Sequence, residues 1–206
     1  MEPFPLISDR VRLTVPTAKD VNRITEICQD ADIQRWTVVP SPYHPSDAAW
    51  FVDELVTPGW AQDTAYTWAI RPHGAGSSSD LVGMIGLTVD RTAPSAVDAE
   101  IGFWLDPGAR GHGLASAASD LVLDWAFDAE GLDAARVVWT AYVGNWQSRR
   151  VAWRCGFTFE GTVRRHAVQR GERRDAWIAT LLPGDGREPV APWPDDASTR
   201  LQEDVV

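Results

Sequence analysis

Apolar and polar positions along this chain recur at two spacings, and the switches between them mark its elements. From Leu6 to Thr14, Arg10 and Arg12 alternate with Val11 and Leu13, the period of a strand. Pro16-Thr17-Ala18-Lys19-Asp20 then opens a helix. Thr17 is placed to cap it, Asp20 is the acidic partner three residues on, and Val21, Ile24, Ile27 and Cys28 share one face. Past Trp36, the run Pro40-Ser41-Pro42-Tyr43-His44-Pro45 cannot continue a helix, since each proline removes a donor and restricts its predecessor. A second helix is expected from Ser46 to Val56 with Trp50, Phe51 and Leu55 inward, and Pro58-Gly59 ends it.

Tyr66 to Arg71 and Leu81 to Asp90 read as strands joined by a mobile hairpin loop, Gly74 to Asp80. Gly83 and Gly86 inside the second strand point to a bend or a close backbone approach. Ala99 to Leu105 alternates strictly, with Ala99, Ile101, Phe103 and Leu105 on one face and Glu100, Gly102 and Trp104 on the other. Asp106-Pro107-Gly108 breaks that strand. Leu114, Ala118, Leu121, Val122, Trp125 and Ala126 then recur at helical spacing up to a stop at Gly131. Ala135 to Val143 reads as a strand buried on both faces, and Asn145 caps a further helix that Gly156 ends. Phe157–Val168 and Asp175–Leu182 pair across Gln169-Arg170-Gly171-Glu172. The order is β-α-α-β-β-β-α-β-α-β-β, an α/β (α+β) chain. It implies a mixed sheet with helices on its faces and one parallel crossover through the long central helix.

The chain has 206 residues, 44% of them hydrophobic, which suits one domain with a buried core. That domain is expected over residues 1–182. The Pro/Gly/Asp-rich tail 183–206 reads as extended or disordered, with Trp193 able to pin it to a surface. Met1-Glu2-Pro3-Phe4-Pro5 lacks the basic start and apolar run of a secretory signal, and no stretch has the apolar length of a bilayer span. A cytoplasmic protein without a membrane partner is the expectation. Cys28 and Cys155 lie far apart and match no zinc spacing, so neither a metal nor a disulfide is expected. The net charge of −10 argues against nucleic acid and, at long range, favours a cationic amine.

The sharpest local signal is Arg110-Gly111-His112-Gly113-Leu114-Ala115, between a strand and a helix. Glycines there let backbone N–H groups converge, and the helix start adds its dipole, the makings of a phosphate cradle. Neither the dinucleotide fingerprint nor a Walker loop is present.

The pattern Arg-x-x-Gly-x-Ala in Arg110, Gly113 and Ala115 resembles the acyl-CoA pyrophosphate loop of the GNAT superfamily. Arg12-Leu13 followed by Pro16-Thr17-x-x-Asp20 is similar to the opening of the branch that includes bacterial ribosomal-protein N-terminal acetyltransferases. Glu100-Ile101-Gly102-Phe103-Trp104-Leu105, Asn145-x-x-Ser148 and Cys155-Gly156-Phe157-x-x-Glu160-Gly161 resemble later motifs of that branch. The likeness spans residues 6 to 182 in order. It implies a GNAT-like fold that uses acetyl-CoA as acyl donor, needs no metal, and transfers the acetyl group directly to a primary amine. A protein or peptide α-amine is the favoured acceptor. The rival readings are a small-molecule acetyltransferase and a non-catalytic acyl-CoA-binding module. Homodimers are common in that branch.

The resemblance also implies roles. The strands carrying Glu100 and Ala135–Val143 would splay to admit the pantetheine arm, with Leu105 bordering it. Backbone N–H groups of Arg110, Gly111, His112, Gly113, Leu114 and Ala115 would hold the pyrophosphate, with Arg110 adding charge and His112 either touching a phosphate or facing solvent. Glu100 is the candidate base, with Asp98 and Asp175 behind it. Ser148 is the candidate acid for the departing thiolate and Tyr142 the alternative donor. Asn145 combines capping with a hydrogen bond to the pantetheine. Cys155 reads as core, so no acyl-enzyme is expected. The acceptor pocket falls to the variable parts, where Trp36, Tyr43, Trp50 and Trp60 cluster in sequence and Arg164 begins a basic hairpin with Arg165, Arg170, Arg173 and Arg174.

Overall fold

The computed structural model describes residues 1–74, 80–93 and 96–194. The first expected strand is in fact a tight hairpin, β1 (Leu6–Ile7) and β2 (Val11–Thr14). The Ser8 hydroxyl accepts the N–H groups of Arg10 (3.3 Å) and Val11 (3.2 Å), a local bond that turns the chain before it can run straight. The capping box of Thr17 and Asp20 forms, closing a 3-10 turn (Ala18–Asp20) that leads into α1 (Val21–Ile27). A short helix absent from the sequence reading follows, α2 (Ala31–Trp36). Asp30 caps it, its carboxylate accepting the Ile33 N–H at 3.0 Å.

The next helix runs on through the residues read above as its end. α3 (Pro45–Trp50) passes through a π turn (Phe51–Val56) into α4 (Thr57–Ala61). The Thr57 N–H bonds the Val52 carbonyl five residues back, and Pro58, which has no N–H to give, follows directly on that wider turn. Gly59 allows the helix to lie against the next strand, since a Cβ there would stand 2.9 Å from the Ala65 carbonyl oxygen. The wider turn also rotates the apolar face. Val52, Val56 and Trp60 are buried, whereas Trp50 (56% exposed) and Leu55 (47% exposed) face solvent, contrary to the plain helical period.

The strands β3 (Ala65–Pro72), β4 (Gly83–Ala93) and β5 (Ala96–Leu105) form an antiparallel meander. Gly83 marks the expected close approach, a Cβ there standing 2.4 Å from the Trp104 carbonyl oxygen. The loop expected to be mobile falls largely on residues 75–79, outside the described residues. α5 (Leu114–Phe127) crosses to β6 (Ala134–Tyr142), which lies parallel to β5. After α6 (Trp146–Arg154), the hairpin β7 (Thr158–Gln169) and β8 (Glu172–Leu181) completes a sheet of order β1-β2-β3-β4-β5-β6-β8-β7. The mixed sheet and, among the described residues, its one parallel pairing, made by the β5-α5-β6 crossover, match the pattern read from the sequence.

Two apolar clusters sit on the two faces. On the α5 face, Phe4, Trp60, Tyr66, Trp68 and Trp125 stack mostly edge to face, with centroids 4.9–6.4 Å apart. Trp60, grouped above with the pocket aromatics, is 1% exposed within that stack. On the other face, Ile24, Ile27, Ile33, Tyr43 and Val52 close over Met84 and Leu81, with Trp104 against them. The tail stays on the domain as far as it is described. Trp193 packs against Trp153 (5.3 Å) and Trp146 (6.2 Å), the Trp153 indole donates to the Ala191 carbonyl at 2.7 Å, and Arg187 pairs with Asp124 at 3.1 Å. Among the described residues, no helix is long and apolar enough to cross a membrane and no side-chain cluster is arranged to hold a metal.

Candidate active site

β5 and β6 pair from Val97 and Ala134 up to Ile101 and Trp139, and then part. Gly102–Leu105 stay with β4, while Thr140–Tyr142 stay with β8. Asp106 turns the chain away after Leu105, its carboxylate accepting the Gly108 N–H at 2.9 Å. A notch therefore opens between the two central strands, and the peptide groups facing across it are left out of the ladder. At its edge a Cβ on Gly102 would meet nothing within 4 Å. Leu105, half-buried, is the last residue of β5, at the end where the strands have parted.

Below the notch lies the glycine loop. Gly111 (φ 79°) and Gly113 (φ 72°) both adopt the left-handed conformation that costs a side-chain-bearing residue about 1–2 kcal/mol. Gly113 is the N-cap of α5 and brings no capping side chain, so the N–H groups of the first turn, Leu114 and Ala115 among them, keep their positive end open. His112 is exposed. Its carbonyl accepts a 2.5 Å hydrogen bond from Arg10, whose guanidinium lies 3.2 Å from where a Gly113 Cβ would stand. The β1–β2 turn thus delivers a cation to the loop that sequence spacing does not disclose, because 102 residues separate the partners. Arg110 points elsewhere. Its guanidinium binds Asp30 (2.7 Å), Asp32 (3.3 Å) and the Leu105 carbonyl (3.2 Å), tying the start of α2 to the loop. The local positive charge comes from Arg10 and the helix end, with Arg110 as a brace. A loop of open N–H groups beside a guanidinium fits a pyrophosphate.

Glu100 stands beside the last paired rung, on the face away from α5. Its side chain is open to water, yet the surrounding protein desolvates the carboxylate enough to raise its pKa. A hydrogen bond from Thr140 and the charge of His166 act in the opposite direction. Across the sheet, on the α5 face, the Trp139 indole donates to the Ser148 hydroxyl at 3.0 Å. An indole is a donor only, so the Ser148 oxygen is the acceptor and its own proton is left to point at another group. Asn145 fixes the turn below by accepting the Ser148 N–H at 3.2 Å. The notch thus has a carboxylate on one face and a hydroxyl donor on the other. Asp98 is engaged with Arg136, and the Asp175 carboxylate accepts the Arg165 N–H at 2.8 Å, which leaves both bracing their strands. Burial pushes the Cys155 thiol up to about 12, so at neutral pH it holds its proton and is a poor nucleophile.

Thr140 and His166 escape the sequence reading. β6 looks buried on both faces in sequence, but Val138 and Thr140 are only half-buried, and from Thr140 on the strand has left β5. His166 rides on an irregularity in β7, where residues 164–166 lie opposite Asp175 alone and Arg165 has a φ of 54°. Of the acceptor candidates, Trp36 reaches the site. Its ring lies 3.4 Å from where a Gly144 Cβ would stand, next to Asn145, and it shares the Arg174 guanidinium (5.9 Å) with Tyr142 (4.7 Å). Arg164 lines an open recess in the hairpin together with Thr162, Val163, Arg165 and Asp175. Tyr43, by contrast, is 6% exposed in the second core cluster with a side-chain hydrogen bond to Cys28, and Trp50 lies out on the surface of α3. The hairpin also holds α2 in place. The Gln169 amide donates to the carbonyls of Gln34, Arg35 and Thr37 at 2.7–3.2 Å, and Arg170 and Arg174 donate to those of Gln34, Val39 and Arg35.

A split parallel pair above a glycine loop at a helix start, with a carboxylate and a hydroxyl on opposite faces beside the gap, has the layout that an acyl-CoA site requires. Residues 10–158 match the family model described as the acetyltransferase (GNAT) domain. The chain belongs to that family and is an N-acetyltransferase. It is 29% identical over 179 residues to a Bacillus subtilis (strain 168) protein named as the ribosomal N-acetyltransferase YdaF, covering 85% of this chain and 93% of that one. A Vibrio cholerae structure described as a ribosomal-protein-serine acetyltransferase superposes with a TM-score of 0.76 at 21% identity, over 89% of this chain and all of that one. The microcin C7 self-immunity acetyltransferase MccE, solved with acetyl-CoA and AMP, gives a TM-score of 0.73 at 21% identity, over 85% and 93% of the two chains.

Proposed function

We propose that this chain is a cytoplasmic enzyme moving the acetyl group of acetyl-CoA directly to the α-amine of a peptide or protein. The observation that carries the reading is the last rung of the split pair: Glu100 beside it on one face, Trp139 pinning Ser148 on the other. Acetyl-CoA supplies the thioester carbonyl. The first-turn N–H groups of α5 and Arg10 hold its pyrophosphate, and the peptide groups of Gly102–Trp104 and Thr140–Ala141 that face the notch pair with the pantetheine amides. Glu100 takes a proton from the incoming ammonium, directly or through a water. The amine nitrogen bonds the thioester carbon, the C–S bond breaks, and the second proton lost by the nitrogen reaches the departing sulfur by way of the Ser148 hydroxyl, which ends as it began. Near pH 7 an α-amine costs about 1–1.5 kcal/mol to deprotonate, against about 4–5 kcal/mol for a lysine. A carboxylate whose pKa is raised by desolvation is matched to the smaller task.

The test begins with calorimetric titration of acetyl-CoA. A Ser-headed peptide with an internal lysine is then acetylated and the modified nitrogen located by mass spectrometry. Acetylation of the α-amine alone is the expected result. Acetylation of the lysine, or of small amines but no peptide, overturns the acceptor assignment.

A further inference from the structure

The acceptor face has a charge opposite to that of the molecule that carries it. Residues 163–175 hold five arginines against Glu172 and Asp175, a local charge of +3 in a chain of −10. Arg35, at the end of α2, adds to them and lies over Trp36 at 4.6 Å. Arg170 ends on the carbonyls of Gln34 and Val39, Arg174 on the Arg35 carbonyl and the Gln169 amide oxygen, and Arg173 on the carbonyls of Arg165 and His166. Carbonyl oxygens orient a guanidinium without neutralising it. Among the described residues, Arg35, Arg164, Arg165, Arg170, Arg173 and Arg174 take part in none of the ion pairs within 4 Å, all of which lie elsewhere. β6 and β8 separate β5, which carries Glu100, from β7, and the recess of Arg164 and Arg165 lies opposite Asp175 in the strand pairing.

We propose that the acceptor is an acidic polypeptide segment, whose amine enters at Glu100 and whose following carboxylates lie on the arginines of the β7–β8 hairpin. This rests on the α-amine reading above and narrows it. Guanidinium groups held by carbonyls present their remaining N–H donors in a fixed fork, the geometry that takes a carboxylate in two bonds. An extended peptide advances about 3.3 Å per residue, so a few residues after the amine span the two strands between Glu100 and β7, which lie about 4.8 Å apart each. The acidic remainder of the chain does not cancel this attraction. At physiological salt the Debye length is about 8 Å, and a segment on the hairpin responds to the local charge rather than to distant carboxylates. The same remainder disfavours nucleic acid, whose continuous phosphates extend beyond so small a patch into the acidic surface.

The experiment uses the full chain with Ser-headed peptides that differ at the next four positions, one set Asp/Glu, one Ala/Gln and one Lys/Arg. kcat/KM is read by thiol release, and binding of each peptide is read separately by fluorescence anisotropy. The acidic set is expected to exceed the neutral one by about ten-fold, two weak exposed ion pairs' worth, in both readouts. Raising salt to about 1 M, where the Debye length is about 3 Å, should cut that ratio to near one. The double variant Arg164→Gln, Arg165→Gln should lower the acidic-to-neutral ratio more than it lowers the neutral rate. Equal binding of all three sets, or a preference for the basic set, overturns the proposal. So does a single-stranded RNA oligonucleotide that outcompetes the acidic peptide, or an equal preference for succinyl-CoA whatever the acceptor. Selective acidic-peptide binding without any turnover supports the surface and counts against the α-amine reading instead.

Discussion

Gly113 is the residue at which cofactor binding and backbone conformation are most directly linked, and two substitutions separate them. Gly113→Ala adds a Cβ to a left-handed residue at φ 72°, at a cost of about 1–2 kcal/mol. The new methyl would stand 3.2–3.3 Å from the Arg10 guanidinium nitrogens, the mobile end of an exposed side chain that moves aside cheaply. The fold therefore survives, because a domain has a reserve of about 5–15 kcal/mol. Gly113→Glu carries the same backbone cost and also puts a carboxylate at the open N-terminus of α5, where it takes Arg10 as its partner and opposes a pyrophosphate. Urea unfolding should show both variants folded and destabilised by similar amounts. Calorimetric titration should show acetyl-CoA affinity reduced several-fold for the alanine variant and by more than about 100-fold for the glutamate variant, the larger loss being electrostatic. A folded Gly113→Glu protein with wild-type acetyl-CoA affinity would refute the placement of the pyrophosphate at this loop.

Other consequences can be checked independently. Thr140→Val and His166→Gln each remove something that stabilises the ionised Glu100, so each should move the acid limb of kcat/KM to higher pH; a limb that moves down or stays put contradicts Glu100 as the base. Arg110→Met frees the start of α2 from the glycine loop, and should raise KM for the peptide as well as for acetyl-CoA, read by steady-state kinetics in both substrates. Trp193→Ala removes ring contacts with Trp146 and Trp153 and should lower stability by about 1–3 kcal/mol in urea unfolding, with no loss showing that the tail does not brace α6.

What the sequence revealed and what it hid follow from the range of the interactions. The succession of elements from β3 onward, the crossover through α5 and the two faces of β5 were legible because each rests on local periodicity, as with Ala99 and Ile101 against Glu100 and Trp104. The glycine loop was legible because positive φ and helix entry are written in adjacent residues. The π turn was not, since nothing in Phe51–Val56 distinguishes one extra residue per turn from an ordinary helix, and the faces of Trp50 and Leu55 were misassigned with it. Arg10, Thr140 and His166 were hidden for a different reason. Each reaches the site through tertiary placement: a hairpin turn far upstream, a strand that loses its neighbour, and an irregular strand edge. Arg110 shows the converse case, a motif residue whose charge is engaged by Asp30 and Asp32, which the motif does not contain.

The central claim is proton removal from an α-amine by Glu100, and it is tested most directly by the pH dependence of kcat/KM for peptide acetylation in the wild type and in Glu100→Gln. The account predicts a large deficit for the variant at pH 6–7 that shrinks toward pH 9, where an α-amine with a pKa of about 8 loses its proton unaided. A small deficit, equal at every pH, contradicts it and leaves Glu100 a structural residue of β5.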